Sequence, residues 1–148
     1  MDLIHRIKKL KRKIPDLMDE MQRAYDASTK TTAVLDGMPH GSSVSSKVEN
    51  GVLEYESAKE AYEKAKAELH RLRLFINHET LDTVLDTDMQ YKIIRMRYRS
   101  NRRVRSIAKE LKITERHCYR IMNHAEKLIG KAPDSEEYHE FIAGGGKT

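Results

Sequence analysis

"SIAKELKITERHCYRIM", residues 106–122, reads as two short helices joined by a bend. Val104, Ile107, Ala108 and Leu111 recur at helical spacing and mark the first helix. Thr114 is a good N-cap for the second, and Glu115 suits the positive end of a helix. Cys118, Ile121, Met122, Ala125 and Leu128 supply its inner face, with Gly130 and Pro133 expected to terminate it. Ala108 is small where the two helices would approach, and Leu111 and Ile113 fix the crossing. The outward face of the second helix is then Glu115, Arg116, His117, Tyr119, Arg120, Asn123, His124 and Lys127, nearly all able to hydrogen-bond. Arginine is shaped to read guanine and asparagine to read adenine. Arg102, Arg103 and Arg105 flank the first helix, where a backbone clamp would lie. A plain solvated helix pair is the bland alternative.

Charge distribution favours the first reading. The 148 residues carry 28 Lys plus Arg against 23 Asp plus Glu, a net charge of +5. From Met89 to Lys131 there are 13 basic and 3 acidic residues, a net of +10, so the remainder carries −5. A basic block in an otherwise acidic chain points to a polyanion-binding face. The single cysteine, Cys118, forms no intrachain disulfide and fits a reducing compartment. No apolar run approaches the roughly 18–20 residues of a membrane span, and the first residues lack the apolar core of a secretory signal. Absent Trp, few aromatics and 34% charged residues describe a helix-rich chain.

Upstream, Leu3, Ile7, Leu10, Ile14, Leu17, Met21 and Ala24 alternate steps of 4 and 3, a seam near the coiled-coil period. Pro15 interrupts it; an interior proline costs roughly 3 kcal/mol, which predicts a kink or a break into two helices. Residues 28–46 are rich in turn formers and predict a loop. A second seam, Tyr55, Ala58, Tyr62, Ala65, Leu69, Leu72 and Ile76, predicts one helix over about 47–78. Two seams and a loop predict an antiparallel hairpin, coiled-coil-like, or an oligomer built on the same faces. Asp86 or Thr87 is placed to cap a helix that runs to about Arg99. "DSEEYHEF" offers a short acidic helix, read as a solvated end, and "AGGGKT" a flexible terminus.

"YKIIRMRYRSNRRVRSIAKELKITERHCYRIMNHAEKLI" resembles region four of bacterial sigma factors and its regulatory relatives. The resemblance rests on Met96–Tyr98, on Ile107 to Thr114, and on Ala125 to Leu128. With "GMPHGSSVSSKVEN" upstream, the layout resembles phage transcription regulators of the ArpU/RinA type. That resemblance implies a helical N-terminal half, a region-four-like helix-turn-helix and activation of late phage genes. Three departures stand out. Lys112 occupies a turn position where the family usually has glycine, and a left-handed backbone there would cost lysine roughly 1 kcal/mol. Glu115 then Arg116 reverses the usual order after the cap, and His117, Tyr119 and Arg120 differ too. So the fold carries over better than the promoter sequence.

Other motifs take their bland readings. His117 and His124 lie seven apart without a Cys or acidic partner at ligand spacing, so no metal is expected. Cys118 reads as a small apolar residue rather than a nucleophile. "GGGKT" lacks the strand, first glycine and helix of a phosphate loop. "RIKKLKRK", residues 6–13, reads as a solvated helix face. No acid, base and nucleophile converge, so neither an enzyme nor a cofactor is expected.

The expectation is therefore an all-α chain: a helical hairpin over 1–80 with a loop near 28–46, a helix-turn-helix domain over 81–132, and an acidic, flexible tail over 133–148. Its expected function is sequence-specific binding of double-stranded DNA to regulate transcription in the cytoplasm of a bacterial host. Arg116, His117, Tyr119, Arg120 and Asn123 would read bases; Arg102, Arg103, Arg105, Lys109 and Lys127 would hold phosphates; Thr114, Glu115 and His124 border them. Bacterial RNA polymerase and a homodimer partner are the further partners considered, with no membrane. Two other classes compete. A small-terminase-like packaging subunit would form a ring of eight or more, and a polymerase-binding module would bind polymerase without DNA.

Overall fold

The computed structural model describes the backbone of residues 1–33 and 43–144, and side chains except those of 30–33 and 43–48. Among the described residues the regular structure is all helical: α1 (Leu3–Ala33), α2 (Ser43–Phe75), α3 (Glu79–Val84), α4 (Asp88–Ile94), a π-helical turn (Arg95–Arg99), α5 (Val104–Leu111), α6 (Glu115–Lys131) and α7 (Glu136–Ala143). No described helix is long and apolar enough to cross a membrane. Two compact units emerge, one of residues 1–9 with 68–148, the other of residues 10–67. The expected boundaries near 80 and 132 thus differ from those of the fold. Leu3, Ile4 and Ile7 are buried with Leu69, Leu72, Phe75 and Ile76, so both ends of the seams join the unit holding the basic block. A seam shows which residues turn inward, but not what lies across from them.

In the unit of residues 10–67, α1 and α2 run antiparallel. Tyr25 and Tyr55 rings meet at 5.9 Å, and a Cβ on Gly51 would stand 3.3 Å from Ser28 Cα. Pro15 lies inside a continuous α1, so of the expected kink or break, the break is absent. The predicted loop over 28–46 is shorter, because α1 continues to Ala33 and α2 starts at Ser43; residues 34–42 lie outside those described. Turn-forming composition did not outweigh a packed partner helix.

In the other unit, α2 stops at Phe75 rather than near 78, and α3, which periodicity did not reveal, follows at once. His78 caps α3, its Nδ1 accepting from Thr80 N–H at 3.3 Å. Thr87 caps α4 in a reciprocal capping box with Gln90. The predicted helix to Arg99 is present, but its last turn widens into π geometry, with Ser100 N–H reaching Arg95 C=O. Asn101 then takes a left-handed conformation, φ 53°, which asparagine tolerates well.

The short acidic helix that "DSEEYHEF" predicts is present as α7, whereas the solvated, flexible end expected there is corrected. Ser135 caps it, accepting from Tyr138 N–H at 3.1 Å, and its backbone amides and the Ser135 hydroxyl hold the Glu137 carboxyl below the usual range. Tyr138 is fully buried against Phe75, and its hydroxyl donates to Asp2 Oδ1 at 2.6 Å. Phe141 meets Phe75 edge-on at 5.3 Å. Two aromatic side chains spaced three apart provided a face that the charge count concealed. Residues 145–148, including most of "AGGGKT", lie outside those described.

Candidate nucleic-acid interface

The interface begins with the way α5 ends. Lys112 adopts φ 56°, ψ 41°, the left-handed region. Its N–H bonds to Lys109 C=O at 3.3 Å, and Ile113 N–H to Ala108 C=O at 3.0 Å. This pair of bonds is a Schellman motif, and it satisfies carbonyls that a helix end leaves open. The left-handed strain expected for Lys112 is therefore present. The turn delivers Thr114 to the start of α6, where its Oγ1 accepts from His117 N–H at 3.2 Å.

α6 packs on α4 and α5, and also touches α3. Cys118, Met122, Ala125 and Ile129 form its buried face, spaced 4, 3 and 4. Two expected core residues are corrected: Ile121 and Leu128 are half-buried flanks, and Ile129 takes the core position instead. Burial, then the Glu115 carboxylate, pushes the Cys118 thiol up, which keeps it protonated. Gly130 does not end the helix, which continues to Lys131. Ala132 N–H meets the carbonyls of Leu128 and Ile129, so no left-handed glycine is needed, and Pro133 follows.

Burying that face leaves Glu115, Arg116, Tyr119, Arg120, Asn123, His124 and Lys127 exposed, with His117 half-exposed beside them. Thr114, Arg116, His117 and Arg120 line an open hollow of about 460 Å³ at the start of α6. Arg120 Nη2 donates to His117 Nδ1 at 2.8 Å. Tyr119 is a large apolar side chain left open to solvent in the middle of this polar face.

The expected phosphate holders divide. Arg103, Arg105 and Lys109 are exposed, and the Arg105 side chain is 89% so, with Glu115 at 3.9 Å. An exposed pair at that distance is worth little and leaves the guanidinium available. Arg102 is different: it is paired with the Glu110 carboxylate and donates to Ser106 Oγ at 2.9 Å. Its carbonyl also accepts from Arg97 Nη1 at 2.9 Å. Arg102 therefore braces the start of α5 as well as carrying charge.

Two supports were missed by the sequence reading. Gln90, on α4, is buried and reaches His124 Nδ1 at 2.9 Å. The Thr87-x-x-Gln90 spacing of a capping box was its available signal. Glu126 receives the Tyr98 hydroxyl and the Lys8 ammonium, the latter at 2.8 Å, which ties α6 to the start of α1. Burial first, then the Glu126 carboxylate, raises the Tyr98 phenol well above its ordinary value. Lys8 thus reaches a structural pair while remaining on the solvated face that the sequence predicts. Among the described residues, no three His, Cys, Asp or Glu side chains group as metal ligands would.

A family model described as "Protein of unknown function (DUF722)" matches residues 5–131. The chain belongs to this family. No curated protein and no solved structure matches it. The DUF722 match starts within α1 and ends at the last residue of α6, so it takes in the hairpin as well as the basic block.

Proposed function

We propose that this DUF722 protein binds duplex DNA sequence-specifically through α6 and regulates transcription, as an ArpU/RinA-type activator of late phage or prophage genes would. One observation carries the reading. A helix with its apolar side locked against α4 and α5 presents arginine, tyrosine, asparagine, histidine and lysine together on the opposite side. Those side chains suit the acceptor-rich edges of a major groove, which is wide enough to admit a helix. Arg116, His117, Tyr119, Arg120 and Asn123 are assigned to bases. Arg103, Arg105, Lys109 and Lys127 are assigned to phosphates, with Arg102 as a brace that adds field. The sequence places Arg102 among the phosphate holders; its pairing with Glu110 argues for the smaller role.

The test is selection from random duplex DNA followed by titration of the preferred site at several salt concentrations. Arg120→Ala is expected to cost about 1–3 kcal/mol on that site and to relax preference at one base pair. Arg105→Ala is expected to weaken every duplex and reduce the salt slope by about 0.9. Equal weakening by Arg120→Ala on all sequences would reduce it to a backbone contact, and failure to bind any duplex would refute the reading.

A further inference from the structure

The hydrogen bonds of Gln90 leave only one proton arrangement at His124. Gln90 Oε1 accepts from Asp86 N–H at 2.9 Å and from Thr87 N–H at 3.3 Å. A backbone nitrogen only donates, so the oxygen end of the amide is identified. The other end, Nε2, lies 2.9 Å from His124 Nδ1. An amide nitrogen has hydrogens to give and accepts nothing, so Nδ1 must accept. A neutral imidazole with an accepting Nδ1 carries its proton on Nε2. Gln90 is only 6% exposed, and turning its amide over would set nitrogen against two backbone N–H groups. The arrangement is therefore held by the cap of α4, while His124 itself is exposed.

We propose that Gln90 is a positioning residue that fixes His124 as the Nε2–H tautomer, making it a donor-only contact for an acceptor atom of the duplex. The second clause rests on the duplex-binding reading above. The shared chemistry is a lone pair, on a purine N7 or on a phosphate oxygen. An amino group such as cytosine N4 is excluded as a partner, because it too can only donate. His117 supports the pattern from the same helix, since a guanidinium also never accepts and Arg120 points one at His117 Nδ1.

The first experiment is ring-nitrogen NMR on the free full-length chain near neutral pH. His124 is expected with a protonated Nε2 and a bare Nδ1. Gln90→Glu keeps a capping-box residue but replaces the amide hydrogens by lone pairs, and is expected to move the proton to Nδ1 or to charge the ring. A wild-type ring protonated at Nδ1, or an unchanged ring in Gln90→Glu, would overturn the proposal; the wild-type result decides even if the variant does not fold. The second experiment uses the selected duplex, with each purine replaced in turn by its 7-deaza analogue and each phosphate by methylphosphonate. One replacement is expected to weaken wild type roughly fivefold and leave His124→Ala unaffected. Identical responses of the two proteins at every position would overturn the contact. Should wild type bind no duplex while its ring pattern is as expected, the DNA reading and the contact fail together, and the tautomer assignment is upheld.

Discussion

The two units of this chain use helices in opposite ways. In the unit of residues 1–9 and 68–148, short helices start on side-chain caps at His78, Thr87, Thr114 and Ser135. They close over Phe75, Ile76, Leu81, Ile93, Ile94, Ile107, Ile129 and Tyr138, all essentially inaccessible. In the unit of residues 10–67, two long helices meet along small residues such as Ala24, Gly51 and Ala65, while Met18, Tyr25 and Leu53 stay 49%, 51% and 64% exposed. A two-helix hairpin has one shared seam, so apolar residues beside it face water. Short helices need tertiary burial and caps because nucleation is costly; long ones can persist on a narrow contact. The difference teaches that α6 is held from several directions, by α3, α4 and α5, whereas α1 and α2 share a single seam.

Predictions from that contrast run from large to small. Tyr138→Ala should cost about 3–5 kcal/mol in urea unfolding, because it empties a site bounded by Phe75 and removes the Asp2 hydrogen bond. A loss under 1 kcal/mol would place α7 outside the core. Gly51→Leu should cost about 1–3 kcal/mol, since the Ser28 backbone lies against the glycine. Hydrogen exchange should rise in residues 10–67; a neutral result would mean the hairpin can open at no cost.

Tyr98 and Tyr138 connect the contrast to pH. Their phenols are held above the ordinary value near 10 by burial and by the carboxylates of Glu126 and Asp2. Unfolded tyrosines release protons near pH 10 while the folded ones retain them, so their contribution is complete below pH 10 and lost above it. Stability should fall by up to about 1.4 kcal/mol per pH unit for each tyrosine above pH 10. Replacing both by Phe should flatten that part of the curve, and an unchanged slope would place the effect elsewhere. Lys112→Gly should raise stability by about 1 kcal/mol by relieving the left-handed backbone, readable as a higher urea midpoint. Smallest of all, Leu53→Ala should change stability by under about 0.5 kcal/mol, and a larger loss at high protein concentration would reveal a partner on the hairpin.

Local chemistry alone carried much of this structure. Spacing and capping residues announced α5, Thr114 as a cap and the polar outer face of α6, because each depends on neighbours within one or two helical turns; the left-handed turn at Lys112 was raised only by the family resemblance. Tertiary structure decided what those signals leave open. It chose Ile129 over Leu128 for the core, committed Arg102 to Glu110 and Lys8 to Glu126, folded α7 over Phe75, and set Gln90 against His124. Periodicity describes one element at a time, whereas burial and side-chain pairing depend on which elements meet, and those contacts join residues as far apart as 2 and 138.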